Sequence, residues 1–279
     1  RRLVLKASVN LAILKFLANE FEQAESILSG CGDLEQIVDA DFRNEQVYRD
    51  YLISIINSRR AGFQRLKNRN HKNKVFVIGE SHALVSHNLS ISLFGEEVMC
   101  ESYLIQGCKQ WHLGNRNRNQ YKTNFEAIFD SFEKSSKLLI AIGEIDCRLN
   151  TGLMKVKQKN PTVQISELIS ETVENFLNYL IKTNHGRDHR LVIQGVPCPN
   201  INIDNYSQIE ILELTKTIEL FNKALKSRST DQGMGFLDVH ELTNNGNGFS
   251  NKLWHLDDYH LTPKAMKAAW EDHVSCIPF

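Results

Sequence analysis

The chain has 279 residues and a mass of 32.0 kDa, enough for two domains or for one large domain with an extension. Thirty-three Lys and Arg residues balance thirty-three Asp and Glu residues, so the chain lacks the excess positive charge that non-specific nucleic-acid binding requires. No stretch approaches about 18 consecutive apolar residues, so we expect no membrane-spanning helix.

Six cysteines are scattered along the chain, and none lies in a Cys-x-x-Cys pair. Scattered single cysteines in a chain of this length are typical of reduced thiols, so we expect a cytoplasmic protein without a disulfide framework. Arg1 and Arg2 precede a short apolar run, but Lys6 interrupts it, and we do not expect a signal peptide.

Residues 1–62 predict a small helical region. Apolar residues at helical spacing indicate three helices, over residues 3–16, 21–28 and 45–60. The pair over residues 11–28 resembles one tetratricopeptide repeat, but no second clear copy follows. A small helical cap on the next domain is the other interpretation. We expect a protein partner, if there is one, to bind these helices.

Residues 63–74 are polar and basic without apolar periodicity, which indicates a linker. No aromatic residues are interleaved with the charges, so a nucleic-acid contact is not expected there.

A different pattern begins at residue 75, where short β-rich runs alternate with longer helical segments. The predicted strands lie near 75–78, 98–105, 138–142, 190–194 and 235–239. The predicted helices lie near 83–94, 124–135, 165–183 and 209–227, and a last one follows Pro263. This alternation predicts an α/β domain over 75–279, with five parallel strands covered by helices on both faces. Ligands bind beyond the carboxyl ends of such strands.

The first strand is followed by Gly79-Glu80-Ser81-His82. Ser81 stands where strand passes to helix, so it could be an exposed nucleophile near free helix N–H groups. It could equally be an ordinary helix N-cap.

Two further strand ends carry candidate residues. Gly107 follows the second strand and could lend its backbone N–H to an oxyanion, or could simply form a turn. The loop after the third strand holds Glu144, Asp146 and Arg148. A structural carboxylate–guanidinium pair and a substrate-binding role are both open for this loop.

Near the C-terminus, Asp257 and His260 are three residues apart, so one turn can join a carboxylate to an imidazole. A hydrogen-bonded surface turn is the alternative. The segment His255–His260 also contains enough His and Asp residues to ligate a metal. It lacks the His-Glu-x-x-His spacing and directly precedes Pro263, so we expect no metal.

Taken in order, these blocks resemble the SGNH/GDSL hydrolase superfamily over residues 73–279. Gly79-Glu80-Ser81 is similar to its Gly-Asp-Ser block, with Glu for Asp, and Gly107 matches its second-block glycine. Gly143-Glu144-Ile145-Asp146 is similar to Gly-x-Asn-Asp, residues 192–199 to the fourth block, and Asp257–His260 to Asp-x-x-His.

The resemblance implies a flavodoxin-like three-layer α/β/α sandwich that cleaves carboxylic esters without metal or organic cofactor. Ser81 would be the nucleophile, His260 the base and Asp257 the residue that orients the base. The implied substrates are lipids, small esters or acetylated glycans. The Ser81 and Gly107 amides would form part of an oxyanion hole.

Ile145 departs from the family pattern, because it replaces the asparagine that donates to the oxyanion. We expect Arg148 to substitute, with Gln110 and Asn115 as other candidates. We expect Glu144 and Asp146 to contact substrate or hold Arg148. The alternative functions are a catalytically weakened module that binds carbohydrate or protein, and a scaffold that acts through the N-terminal helices.

Overall fold

The computed structural model describes residues 2–31, 43–62 and 73–275. The chain divides into two compact units, Arg1–Asn70 and His71–Phe279. The predicted linker falls largely outside the described residues, and Lys74 already begins the first strand. Within the described ranges, no helix combines the length and the apolar character needed to cross a membrane.

The described part of the N-terminal unit consists of three helices, as the apolar spacing predicted. They are α1 (Arg2–Leu17), α2 (Phe21–Gly30) and α3 (Arg43–Gly62). Their shared core contains Phe16, Leu28 and Ile55, all fully buried, and the rings of Phe16 and Phe21 meet edge to face at 5.3 Å. The likeness to a tetratricopeptide repeat stays a prediction.

The second unit is built on a sheet of seven strands. In chain order these are β1 (Lys74–Gly79), β2 (Ser90–Leu93), β3 (Glu96–Leu104), β4 (Lys137–Ala141), β5 (Arg190–Gln194), β6 (Gly235–Leu237) and β7 (Val274–Ser275). Their spatial order is β2-β3-β1-β4-β5-β6-β7. The five central strands pair in parallel, in the 2-1-3-4-5 order of flavodoxin-like folds. The predicted fold class is confirmed.

The predicted count of five strands is wrong, because β2 and β7 add antiparallel edges. The predicted helix over 83–94 is also wrong. A 3-10 helix, Ser81–Ser86, is followed by β2, which turns into β3 through Phe94 and Gly95. Both turn residues have positive φ, 53° and 80°, as a two-residue type I′ hairpin requires.

Helices cover both faces of the sheet. They are α4 (Gln110–Gly114), α5 (Gln120–Asp130), α6 (Glu144–Cys147), α7 (Gly152–Lys159), α8 (Ile165–Asn184), α9 (Gln208–Asp231), α10 (Val239–Thr243) and α11 (Pro263–Asp272), with a short 3-10 turn at Ile203–Asn205. Buried residues of α5, α8 and α9 form one core with Ile78, Ile140 and Ile193 of the central strands. Successive side chains of a strand point to opposite faces, so the sheet has a second face to cover. Helix α11 packs with β2 and the 3-10 helix.

Gly79 ends β1 and is paired with Ala141 of β4. A Cβ atom at Gly79 would lie 2.3 Å from the backbone oxygen of Ala141. We expect Gly79→Ala to lower the free energy of unfolding by about 1–3 kcal/mol, because the paired backbones must separate. Gly30→Ala adds the same methyl where nothing lies within 4 Å. Urea unfolding of both variants checks this, and equal stability of the two would contradict it.

Candidate active site

The end of β1 and the 3-10 helix after it place Ser81. Glu80, in an extended conformation, is the N-cap of this short helix, and its carboxylate accepts a hydrogen bond from the His82 amide. The N-cap alternative for Ser81 is therefore wrong. Ser81 Oγ is left to make side-chain contacts, and the residue keeps 7% of its surface exposed.

Ser81, His260 and Asp257 form a hydrogen-bonded row. His260 Nε2 lies 2.8 Å from Ser81 Oγ, and His260 Nδ1 lies 2.7 Å from Asp257 Oδ2. Among the described residues, His260 is the histidine whose ring is bonded to Ser81. The other candidates lie elsewhere: His87 accepts from the Ser102 amide, and His255 contacts Ser250.

The turn before α11 fixes the acid of this row. The backbone amides of Tyr259 and His260 both donate to Asp257 Oδ1, at 2.8 and 2.7 Å. Burial would raise the pKa of Asp257, but the hydrogen bond and charge of His260 and the two amides outweigh it and lower that pKa to about 2. Asp257 is therefore charged at neutral pH and can hold the His260 ring in one orientation.

A second charged pair touches the same serine. Ser81 Oγ donates to the Glu80 carboxylate at 2.6 Å, so Glu80 and His260 are alternative acceptors for the one hydroxyl proton. The same carboxylate lies 2.6 Å from His82 Nδ1. His82 Nε2 lies 3.1 Å from the carbonyl oxygen of Tyr259. Glu80 and His82 are almost completely buried. The His82 side chain therefore lies beside the proposed base, with its ring centroid 4.9 Å from that of His260.

Burial and charge compete within this pair. Burial alone would raise the pKa of Glu80, but the charge and hydrogen bond of His82 lower it to about 2. Burial would also lower the pKa of His82, but Glu80 outweighs this and raises it to about 9. Both side chains are thus ionised at neutral pH. Sequence reasoning missed their part in the site, although two ionisable residues flanking a serine after a buried strand are a usable signal.

The loop after β4 holds a salt bridge. Arg148 Nε lies 2.8 Å from both carboxylate oxygens of Glu144, and its Nη2 lies 2.5 Å from one of them. The guanidinium also stacks over the Tyr259 ring, 4.4 Å from its centroid. Burial alone would lower the pKa of Arg148, but the charge and hydrogen bond of Glu144 outweigh burial and raise that pKa above its ordinary value. The guanidinium therefore stays charged. Nη1 has no partner among the described residues.

Asp146 has a structural position. Its carboxylate is fully buried and accepts from the amides of Gln110 and Trp111, at 2.8 and 3.2 Å. It therefore closes the N-terminal end of α4, and this geometry gives no support to the predicted substrate contact. The Gln110 side chain donates to the carbonyl of Ile142, and the Asn115 side chain accepts from the Asn117 amide. A role of either side chain as the missing oxyanion donor stays a prediction.

Gly107 follows β3 with φ at 71°, a conformation that favours glycine. Its nearest neighbour, measured from a virtual Cβ, is the Tyr121 hydroxyl at 3.9 Å. Space for an approaching atom is therefore present beside this backbone. Its part in an oxyanion hole stays a prediction.

One group of described residues has the spacing of a metal site. Glu80, His82 and Glu144 each offer a ligand atom, and these atoms lie within 4.8 Å of one another. Both ring nitrogens of His82 already face acceptors, and Arg148 occupies the Glu144 carboxylate. The two carboxylates are balanced by two cations, so the group is accounted for by ion pairs and we assign it no metal.

Comparison with known proteins gives similarity in fold. No protein-family model matches the chain, and no curated protein matches it. The chain is similar to phospholipase A1 from Streptomyces albidoflavus NA297 (14% identity, 71% of this chain and 96% of that one, TM-score 0.39). It is also similar to a GDSL-like lipase from Bacteroides thetaiotaomicron VPI-5482 (13%, 71% and 86%, TM-score 0.44). The chain is also similar to a structure from Streptococcus pneumonia that is provisionally described as a platelet activating factor (15% identity, 82% of this chain and 96% of that one, TM-score 0.48).

At 13–15% identity, these likenesses concern the fold alone. The names of the three neighbours give no activity to this chain.

The capping position of Asp146 predicts a stability effect. Asp146→Ala should lower the free energy of unfolding by about 1–3 kcal/mol, because two backbone amides lose their acceptor inside the protein. Asp130→Ala is the control, since Asp130 is half exposed and pairs with Arg187 at the surface. That change should cost less than about 1 kcal/mol. Urea unfolding measures both, and an Asp146 variant as stable as the control would refute the assignment.

Proposed function

We propose that the chain is a serine hydrolase that cleaves carboxylic esters through Ser81, His260 and Asp257. The observation that carries this proposal is the unbroken hydrogen-bonded row, 2.8 Å from Ser81 Oγ to His260 and 2.7 Å from His260 to Asp257. A serine hydroxyl becomes a nucleophile when a positioned base takes its proton and a third group orients that base. The order of the sequence blocks also supports the proposal.

The geometry suits a two-step reaction. Ser81 Oγ attacks the ester carbonyl carbon while its proton passes to His260 Nε2. The carbonyl oxygen becomes an oxyanion, and the imidazolium is stabilised by the charged Asp257. His260 then returns the proton to the departing alcohol, which leaves an acyl group on Ser81. Water, deprotonated by His260, attacks this acyl group and regenerates the serine. His260 carries each proton in turn, first from Ser81 to the departing alcohol and then from water back to Ser81 Oγ as the carboxylic acid leaves. The scheme uses no metal or cofactor.

The oxyanion requires donors. We assign the Ser81 and Gly107 amides to this role, together with Arg148 in place of the side chain that Ile145 lacks. The salt bridge with Glu144 and the Tyr259 ring hold the guanidinium, and its Nη1 has no partner among the described residues. Losing one such donor typically costs about 10²–10³ in turnover, so a replacement is needed for full activity.

We infer that an acylated sugar is the substrate class. Trp111, next to the α4 end that Asp146 closes, is half exposed. It borders a cleft of about 410 Å³ that Asn115, Asn117 and Asn175 also line, and Ser81, His260 and Asp257 are not among the residues that line it. An exposed aromatic ring and amide side chains suit a sugar, whose ring stacks while its hydroxyls accept and donate. Tyr259 is already covered by Arg148, so the sugar proposal rests on Trp111.

A second candidate function belongs to the N-terminal unit. Large apolar side chains are exposed along α1, namely Leu3, Val4, Leu11 and Leu14. This observation favours a protein partner for these helices, which adds to the hydrolase proposal and does not replace it.

A cytoplasmic location is also proposed here, because the five described cysteines are free thiols.

The role of Ser81 predicts loss of activity. Ser81→Ala should abolish hydrolysis of a short-chain ester, because no other nucleophile in the row can attack, and the circular dichroism spectrum should stay unchanged. A fluorophosphonate probe should label Ser81 in the wild type and nothing in the variant, as mapped by mass spectrometry. Wild-type turnover in Ser81→Ala would exclude the assignment.

The role of Arg148 predicts a particular kinetic pattern. Arg148→Ala should lower kcat by about 10²–10³-fold with a much smaller rise in KM, because the contact with the oxyanion forms in the transition state. Arg118→Ala serves as a control, since Arg118 is an exposed partner of Glu126. A rise in KM at unchanged kcat would instead place Arg148 on an anionic group of the substrate. Unchanged kinetics would exclude Arg148 as the oxyanion donor.

A further inference from the structure

Glu80 and His82 are buried beside the nucleophile, yet the reaction sequence above assigns them no step. His82 directly follows Ser81 in the chain, and Tyr259 directly precedes His260. The hydrogen bond between His82 Nε2 and the Tyr259 carbonyl, 3.1 Å long, therefore joins the two segments that carry the nucleophile and the base. Together with the 2.8 Å contact between Ser81 and His260, it closes a small ring of contacts.

The partners of the His82 ring define its protonation state. Nδ1 faces a carboxylate oxygen of Glu80 at 2.6 Å, and Nε2 faces the carbonyl oxygen of Tyr259. Both partners accept, so both nitrogens must donate, and an imidazole that donates twice carries a positive charge. A neutral ring could satisfy one partner only.

The charged groups around His82 favour the same state. Carboxylate oxygens of Glu80 and of Glu144 in α6 lie within 4.8 Å of a His82 ring nitrogen, and Arg148 is paired with Glu144. The His260 ring lies 4.9 Å away, and His255, whose pKa burial lowers to about 4, is neutral at physiological pH. Two carboxylates thus face His82 directly.

We propose that His82, as a buried cation held by Glu80, is a positioning residue that sets the distance between Ser81 Oγ and the His260 base. This rests on the proposed function. A displacement of about 1 Å between reacting groups can cost on the order of 10²-fold in rate. The His82–Tyr259 bond opposes such a displacement because it holds the backbone on the N-terminal side of His260.

The pH dependence follows from the charge. The pKa of His82 is raised to about 9, so the doubly donating ring is present below that pH. As the pH rises through about 9, the ring loses a proton and one of its two hydrogen bonds. Activity should therefore fall on the alkaline side, with a midpoint near pH 9.

One variant of His82 and one variant of Glu80 test the proposal. His82→Gln is neutral at every pH, so it should lower kcat by about 10–100-fold, change KM by less than about threefold, and lose the alkaline fall. Glu80→Gln keeps a hydrogen-bonding group but removes the charge, so it should move the alkaline fall to lower pH. His189→Gln is the matched control. His189 is also buried, but it accepts a hydrogen bond from the Ser136 amide and has no bond to Ser81, His260 or Tyr259 among the described contacts.

Rates of ester hydrolysis are measured for the four proteins from about pH 6 to about pH 10.5. Side-chain NMR of His82 is followed over the same range, with His82→Gln to assign the signal. If the wild type hydrolyses esters but His82→Gln keeps its kcat and its alkaline fall, the positioning role is excluded while the proposed function stands. A His82 midpoint near its ordinary value of about 6.5 excludes the role even if no substrate is turned over. An inactive wild type that no fluorophosphonate labels overturns both.

Discussion

A carboxylate removed from water must find hydrogen-bond donors or a positive charge, and Glu80 has both. Its oxygens lie 2.6 Å from Ser81 Oγ and 2.6 Å from the His82 ring, and its side chain also caps the 3-10 helix that carries both residues. The Glu80 carboxylate therefore has three roles. It caps the backbone after β1, accepts from Ser81 Oγ and pairs with the charged His82 ring. A buried pair of this kind is costly to break, because removing either member leaves an unpaired charge inside the protein.

Most of the sheet could be predicted from the sequence. Five β-rich runs, each separated by a helical segment, define the parallel strands, and β5 (Arg190–Gln194) lies where the pattern placed it. The edge strands could not be found in this way. β2 is four residues long, and its Ser-Ile-Ser-Leu alternation follows directly on a helix-like run. β7 has two residues and is defined by its pairing with β6, which no local pattern specifies.

The candidate site was partly predictable for a similar reason. Asp257 and His260 are three residues apart, so a single turn joins them, and their meeting with Ser81 follows once both lie at the carboxyl edge of the sheet. The position of His82 could not be read in the same manner. An α-helix after Ser81 would have turned the ring away, whereas the 3-10 helix and the capping carboxylate of Glu80 turn it towards Tyr259. The role of Asp146 as a cap depends on α4, which is more than thirty residues earlier in the chain.

The charges of the site constrain the chemistry it can perform. Attack by Ser81 creates a negative oxyanion, and a bare Glu80 carboxylate at 2.6 Å from Oγ would oppose that charge by Coulomb repulsion. His82 neutralises Glu80 at 2.6 Å, and Arg148 neutralises Glu144, so the four side chains alternate in sign and contribute little net field. A negatively charged residue beside the nucleophile is compatible with ester cleavage because its countercharge is built into the next residue. Glu80 before Ser81 and His82 after it are thus two parts of one arrangement, because each supplies the charge that balances the other inside the protein.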